Sequence, residues 1–175
     1  MIQVRIETEL GEIVVSLDDA HALATVANFL RYVDGEFYNG GRFHRTVTMG
    51  NQPNDAVRIE VAQAGANPAR DAERFAPLAL ERTTMTGLRH RDGTISMARF
   101  TPDSAVSDFF ICIGDQPSLD FGGARNPDGQ GFAAFGQVVH GMDVVRAIQT
   151  APAEGQTLTP PVAIRRLTRE TEASA

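Results

Sequence analysis

Residues 42–47 have the sequence RFHRTV, and this stretch sets the pattern that decides the fold. Its apolar and β-branched residues, and the turn residues at 39–41 before it, are typical of a short strand. Similar segments follow: VAQAG at 61–65, SMAR at 96–99 and FFICI at 109–113. Because side chains alternate along a strand, Phe43 and Arg45 are predicted to share one face and His44 to point to the other.

The same segment carries a residue type with narrow chemistry. Arg45 keeps its charge because the pKa of arginine exceeds about 12, so it cannot act as a general base. Gln63 and several phenylalanines occupy the neighbouring strand-like segments. If these side chains converge in space, the site stabilises charge or polarises a bond and needs no nucleophile. Taken singly, they are explained as a solvated strand arginine, an amide bonded to local backbone and core aromatics.

The rest of the chain divides into further short strands and two helices. Apolar residues recur at i, i+3, i+4 and i+7 over residues 25–33, and this spacing predicts a helix that ends at Gly35. A second, shorter helix is predicted over 143–148. The other strands are predicted at 2–7, 12–17, 58–63, 78–81, 94–98, 109–113, 135–139 and 162–167.

These elements indicate one mainly β domain over residues 1–168, followed by a polar tail at 169–175. About eight short strands, with no repeat and no linker, favour a mostly antiparallel sheet. Closing such a sheet into a barrel would remove its exposed edges, although the strand period fits a sandwich equally well. Residues 48–57 are polar and are predicted to form an exposed loop.

Composition excludes several classes of partner. A chain of 175 residues with 42% hydrophobic residues can bury a sizeable core in one domain. The formal net charge of −6 argues against nucleic acid, because binding phosphates needs clustered arginine and lysine. No apolar run approaches the roughly 20 residues of a membrane span. We therefore expect no nucleic acid and no membrane partner, and a monomer.

The start of the chain and its cysteine bear on location. Met1 leads directly into strand-like sequence with no signal peptide, so a cytoplasmic location is expected, or a periplasmic one if an export signal had been removed. The single Cys112 excludes an internal disulfide. Its apolar neighbours predict a buried, unreactive thiol.

The histidines and serines do not predict a metal site or a nucleophile. The four histidines lack the spacing of metal ligands. His90 lies between Arg89 and Arg91, which favours a solvated turn. Ser96 and Ser104 have no histidine–carboxylate partnership visible in the sequence.

Five segments together resemble the cyclophilin-type peptidyl-prolyl cis–trans isomerases, in a bacterial-like, single-domain form. They run in the family's order and cover most of the chain from residue 2 to about 148. They are TVANFLRYVDGEFYNGGRFHR (25–45), VAQAG (61–65), GTISMAR (93–99), FFICIG (109–114) and GFAAFGQVVHGMDVV (131–145). The resemblance implies a closed eight-stranded antiparallel β-barrel capped by two α-helices, with a proline pocket on its outer surface.

The resemblance also implies roles for individual residues. Arg45 matches the catalytic arginine, and Gln63 matches a glutamine that supports the substrate backbone. Ala98 and Arg99 match a pair that binds the peptide largely through main-chain groups. The floor of the proline pocket, its apolar walls and the flanks of the arginine complete the predicted substrate-binding set: Phe110, Leu119, Val61, Phe132, Phe43 and His44.

Several positions depart from the family pattern. Arg45 and Gln63 are 18 positions apart, and the polar loop 48–57 accounts for the extra length. Glu60 and Val61 stand where many members have phenylalanine and methionine. Asp108 occupies a position at which the family pattern has a glutamine. Ser118 stands for the tryptophan with which some members bind cyclosporin, so weak cyclosporin binding is expected.

The predicted function is isomerisation of Xaa-Pro peptide bonds, in proline-containing peptides and in unfolded or partly folded proteins, without metal or cofactor. A proline-peptide binding module or chaperone with little turnover is the alternative, suggested by Glu60, Val61 and Asp108. A structural barrel with a relic site would not explain the joint presence of Arg45, Gln63 and Phe110. Arginine at position 45 favours the enzyme, since binding alone would not require it.

Overall fold

The computed structural model describes residues 1–170 and shows a closed antiparallel β-barrel. The strands are β1 (Ile2–Thr8), β2 (Gly11–Leu17), β3 (Arg42–Val47), β4 (Val61–Gly65), β5 (Thr94–Met97), β6 (Phe109–Cys112), β7 (Ala134–His140), β8 (Ala153–Glu154) and β9 (Thr157–Arg169). Their order in the sheet is β1-β2-β7-β5-β6-β4-β3-β9-β8, and a further β1–β9 pairing closes the ring. Eight strands therefore form the barrel, and the two-residue β8 is a hairpin partner of β9.

Two longer helices pack on the barrel, α1 (Leu23–Asp34) and α3 (Met142–Gln149), and a four-residue helix α2 spans Thr83–Thr86. The apolar stripe of α1 places Val26, Phe29 and Val33 in the main hydrophobic cluster, as the spacing predicted. From α3, Val145 and Ile148 enter the same cluster. The fold class predicted from the family resemblance is confirmed.

The barrel interior is filled by apolar and aromatic side chains. Phe29 contacts Tyr38, Phe109 and Phe135 with ring centroids 5.2–5.5 Å apart. Fully burying one such large side chain stabilises the fold by roughly 1.5–3 kcal/mol. This interior is solid, so any binding site has to lie on the outside of the barrel.

Three predictions of secondary structure need correction. Residues 58–60 are not part of β4, which begins at Val61 and continues through Gly65. Residues 78–81 form no strand, only an isolated bridge between Leu78 and Ala105. The last strand runs past the predicted 162–167, from Thr157 to Arg169, so residue 169 belongs to the barrel, and the rest of the predicted tail from 171 onward lies outside the described residues. Within residues 1–170, none of the helices is long and apolar enough to cross a membrane.

Candidate active site

A second hydrophobic cluster lies on the outer face of the barrel. Strand alternation separates it from the core: along β6, Phe109 and Ile111 belong to the interior cluster, whereas Phe110 and Cys112 belong to the outer one. The outer cluster borders a cavity of about 710 Å³. Cys112 is fully buried there and burial raises the pKa of its thiol, as expected for an unreactive cysteine.

Arg45 lies at the rim of this cavity and is held by two neutral amides. Its Nε and Nη2 donate to Oε1 of Gln156 at 3.0 and 2.8 Å, and its Nη1 donates to Oε1 of Gln63 at 3.0 Å. Among the ion pairs of residues 1–170, none involves Arg45. Burial and the nearby Arg125 cation lower the pKa of the Arg45 guanidinium, partly offset by Asp55. An arginine still keeps its proton at neutral pH, so the site holds a positive charge that no described carboxylate pairs with directly.

A β-bulge brings His44 and Arg45 to the same cavity. Phe43 is paired with Ala64 and Arg45 with Gln63, so His44 is an extra residue without a partner. Phe43 is therefore fully buried in the barrel core, while His44 and Arg45 line the cavity. The prediction that Phe43 and Arg45 share a face was wrong, and so was the assignment of Phe43 to substrate binding. Simple alternation fails at a bulge because one residue is inserted into the register.

Asp108, which sequence reasoning treated only as a departure from the family pattern, connects the polar side chains of the cavity. Its Oδ2 accepts from Nε2 of Gln63 at 3.1 Å and lies 2.9 Å from Nε2 of His44. Since a carboxylate only accepts, it directs the Gln63 amide nitrogen toward itself and leaves Oε1 of Gln63 facing Arg45. Gly65 leaves room for this carboxylate, because a Cβ there would lie 2.5 Å from Oδ1 of Asp108.

The apolar wall of the cavity comes from both predicted and unpredicted residues. Ile59 and Val61 line it together with Phe110, whose ring meets Phe132 edge-on at 5.7 Å. Glu60 is not among the lining residues; its Oε1 lies 3.4 Å from Nε2 of Gln149. The alternation of positions 59, 61 and 63 was a signal that could have identified Ile59.

Arg99 shapes the cavity through its buried side chain. Its Nε and Nη2 donate to the carbonyl of Gly131, and its guanidinium makes two hydrogen bonds to Asp128 at 3.0 and 3.1 Å. The guanidinium carbon also lies 4.6 Å from the centroid of the Phe132 ring. Arg99 thus anchors the glycine-rich loop and orients Phe132, leaving its main chain beside the cavity.

Behind the pocket floor lies a buried chain of three polar side chains that contradicts two predictions. His90 is 1% exposed, so it does not lie in a solvated turn. Its Nδ1 is 2.7 Å from Oδ1 of Asp120 and its Nε2 is 2.8 Å from Oγ of Ser96, a histidine–carboxylate partnership that the sequence did not reveal. Its ring stacks on Phe110 at 6.1 Å. Because Ser96 is fully buried, the chain supports the floor and cannot present a nucleophile to a substrate.

The loop 48–57 contacts residues of the cavity wall, and one of its side chains, Gln52, is buried. Gln52 is 1% exposed; its Nε2 donates to the carbonyls of Thr48 and Ile59, and its Oε1 accepts from the Ile59 N–H. Arg125, which lines the cavity, donates to Oε1 of Gln52 and to the carbonyl of Val57, both at 2.8 Å. The expectation of a wholly exposed loop is therefore wrong at Gln52, which supports the wall at Ile59.

Nine of the ten predicted site residues line the one cavity, and Phe43 does not. The nine are His44, Arg45, Val61, Gln63, Ala98, Arg99, Phe110, Leu119 and Phe132. The residues that sequence reasoning missed include Ile59, Phe100 and Arg125 at the lining, and Gln156 behind Arg45. Within residues 1–170, no three His, Cys, Asp or Glu side chains are grouped to hold a metal ion.

The fold and the site together define a class of barrel protein whose outer cavity places an apolar pocket beside a fixed arginine. Comparison with known proteins agrees. The family described as cyclophilin type peptidyl-prolyl cis-trans isomerase/CLD matches residues 3–169. The peptidyl-prolyl cis-trans isomerase cyp18 of Streptomyces antibioticus is 36% identical over 85% of this chain and 84% of its own. Peptidyl-prolyl cis-trans isomerase B of Escherichia coli is 33% identical over 83% of each chain.

The solved structures give the same fold. A cyclophilin type peptidyl-prolyl cis-trans isomerase of Cryptosporidium parvum superposes with a TM-score of 0.74 at 18% identity, covering 98% of this chain and 99% of its own. The chain belongs to the cyclophilin family, and it is a peptidyl-prolyl cis–trans isomerase.

Proposed function

We propose that this enzyme rotates Xaa-Pro bonds by placing the Arg45 guanidinium against the prolyl nitrogen. The peptide bond resists rotation with a barrier of about 18–20 kcal/mol because resonance gives it partial double-bond character. Twisting the bond returns a lone pair to the nitrogen. A cation aimed at that lone pair stabilises the twisted state more than either planar isomer, which is differential binding of the transition state.

The hydrogen bonds of Arg45 support this role. Three of its N–H groups are used, one on each nitrogen, by Gln63 and Gln156. A guanidinium has five N–H donors, so one remains on each terminal nitrogen for a substrate. Both supporting groups are neutral amide oxygens, which fix the orientation without cancelling the charge. This oriented charge at the rim of an apolar pocket, with no direct ion pair among the described residues, is the observation that carries the proposal.

The rest of the cavity supplies binding and orientation. The apolar end around Phe110, Leu119 and Phe132 fits a proline ring, and each Gln63 amide group keeps capacity for the peptide backbone. A related Cryptosporidium parvum structure was determined in the presence of the dipeptide Ala-Pro. We propose that the substrates here are likewise proline-containing peptides, and that unfolded or partly folded proteins are the larger substrates. The cytoplasmic location stays a prediction.

The test is the isomerisation rate of a short Xaa-Pro peptide, measured by NMR exchange. Arg45→Ala is expected to lower kcat/KM by about 100- to 1,000-fold, the loss seen when one preorganised charge-stabilising donor is removed. Arg45→Lys should restore little, because a point charge on a flexible chain replaces a fixed planar fork. Arg42→Ala, on the same strand but outside the cavity, is the matched control.

The outcomes separate the two candidate functions. Near-wild-type turnover in Arg45→Ala would refute the mechanism. Peptide binding without turnover in the wild-type protein would instead favour the alternative, a proline-peptide binding module.

A further inference from the structure

The cavity has two chemically different ends. The apolar end lies around Phe110, Leu119 and Phe132. The other part of the lining carries two carboxylates, one guanidinium, two serine hydroxyls and one aromatic ring, from Asp71, Asp108, Arg74, Ser104, Ser107 and Phe100. The proposed mechanism uses none of these groups directly on a substrate, so their chemistry remains to be explained.

Asp108 has unused capacity as an acceptor. Both hydrogen bonds that it receives, from His44 and Gln63, reach Oδ2, and no hydrogen bond from residues 1–170 reaches Oδ1. Its side chain is 40% exposed. Two guanidiniums of the cavity form ion pairs with other carboxylates, Arg99 with Asp128 and Arg125 with Asp55. Oδ1 of Asp108, which occupies the space that a side chain at position 65 would need, therefore keeps its acceptor capacity without an arginine partner among the described residues.

Phe100 adds an aromatic side chain to the lining of the same cavity. Its side chain is 92% exposed, while its main chain is held by Ser104 through the N–H and by Arg99 through the carbonyl. The segment is tied to Asp108 by the bond from the Ala98 N–H to the Asp108 carbonyl at 3.0 Å. A cation is attracted both by a carboxylate and by the face of an aromatic ring.

We propose that this end of the cavity binds a basic side chain next to the Xaa-Pro bond, so that the enzyme selects positively charged proline peptides. Asp108 is the specificity-determining carboxylate, and Phe100 packs on the bound cation. Arg74 opposes this effect, and so does Arg45 on the far side of Gln63, but Asp71 on the same turn as Arg74 offsets one of these charges. The inference rests on the proposed function, in which the apolar end holds the proline.

The experiment compares peptides that differ only at one position, which is lysine, norleucine or glutamate. The position is moved through the residues on each side of the Xaa-Pro bond. At low salt, the wild-type protein should show a lysine-to-norleucine ratio of kcat/KM of about fivefold at one position, the upper range of an exposed ion pair. The ratio should fall in 0.5 M NaCl, as screening requires.

Variants assign the effect to Asp108. Asp108→Asn should bring the ratio close to one, whatever it does to the rate itself, and Phe100→Ala should lower it partly. Asp143→Asn makes the same charge change outside the cavity and should leave the ratio unchanged. A wild-type ratio of one or less at every position, or an unchanged ratio in folded Asp108→Asn, would overturn the inference.

Dissociation constants measured on the same peptides give the ratio independently of catalysis. Absence of turnover with a charge preference in binding would contradict only the proposed function. Turnover without a charge preference would contradict only the present inference.

Discussion

Gln156 offers the sharpest test of how the active-site charge works. Its Oε1 receives two of the three hydrogen bonds that fix Arg45, at 2.8 and 3.0 Å. Gln156→Leu removes both while keeping the side chain of similar size. Hydrogen bonds to charged groups contribute about 1.5–3 kcal/mol, but water can partly replace them at this half-buried site, so we expect a loss of roughly 1–2 kcal/mol. That corresponds to a fall in kcat of about 5- to 30-fold.

Gln156→Glu separates orientation from charge. A carboxylate at this position would hold the guanidinium in a bidentate pair, with better fixed geometry but with its positive charge offset. If Arg45 acts by its charge, this variant must also lose activity, at least as much as Gln156→Leu. If only orientation mattered, Gln156→Glu would equal or exceed the wild-type rate.

The assay is isomerisation of one Xaa-Pro peptide by NMR exchange, with kcat and KM determined separately. Gln3→Leu, an exposed position on the first strand, is the control for the same substitution away from the site. Melting temperatures verify that each variant is folded. A Gln156→Glu enzyme as fast as the wild type would refute the electrostatic account.

Three further predictions concern the pocket floor, acid stability and inhibition. Phe110→Ala should weaken proline-peptide binding and lower the free energy of unfolding by roughly 3–5 kcal/mol, since the ring is buried. Calorimetric binding and thermal melting on one sample check both effects. Unchanged affinity in the folded variant would show that proline binds elsewhere. Burial acts to raise the pKa of Asp120, but hydrogen bonds from His90 outweigh this effect, so the pKa of Asp120 is lowered. The unfolded state therefore takes up this proton at a higher pH than the folded state, and the stability of the fold should decline as the pH drops below about 4. Asp120→Asn should flatten that decline in melting curves. The affinity for cyclosporin should be about 10- to 1,000-fold lower than in members with the tryptophan, and Ser118→Trp should raise this affinity. Nanomolar inhibition of the wild type would contradict this prediction.

Most of the strands, and the residues that gather at the cavity, could be predicted because their signals are local. The helical stripe over 25–33 and the segments around Arg45, Gln63 and Phe110 depend on periodicity and on residue types that the family resemblance places in order. Their convergence on one cavity needed no feature beyond a closed barrel. The extra length between Arg45 and Gln63 was also correctly recognised as a loop.

The failures occurred where a long-range contact decides the structure. Nothing near Phe43 in the sequence indicates the bulge that separates it from Arg45, because the bulge is a property of pairing with two neighbouring strands. Gln156 reaches Arg45 across 111 positions, and His90 meets Asp120 across 30. The charged neighbours of His90 in the sequence predicted a solvent-exposed side chain, but its partners Asp120 and Ser96 lie on other segments of the chain and bury it. Such pairings are set by the closed fold and leave no periodic signal.

Closure of the barrel by its last strand has a consequence for how the protein folds during its synthesis. Arg5 bonds to Glu170, 165 positions away, and β9 pairs with both β1 and β3. At about 5–20 residues per second, a ribosome needs roughly 8–33 s to make the partner that β1 awaits. During that time β1 and β3 each present an unpaired strand edge, the kind of surface that recruits other chains. Most contacts of the fold join residues that are far apart in the sequence, so the barrel of this prolyl isomerase can close only after its last strand has been made.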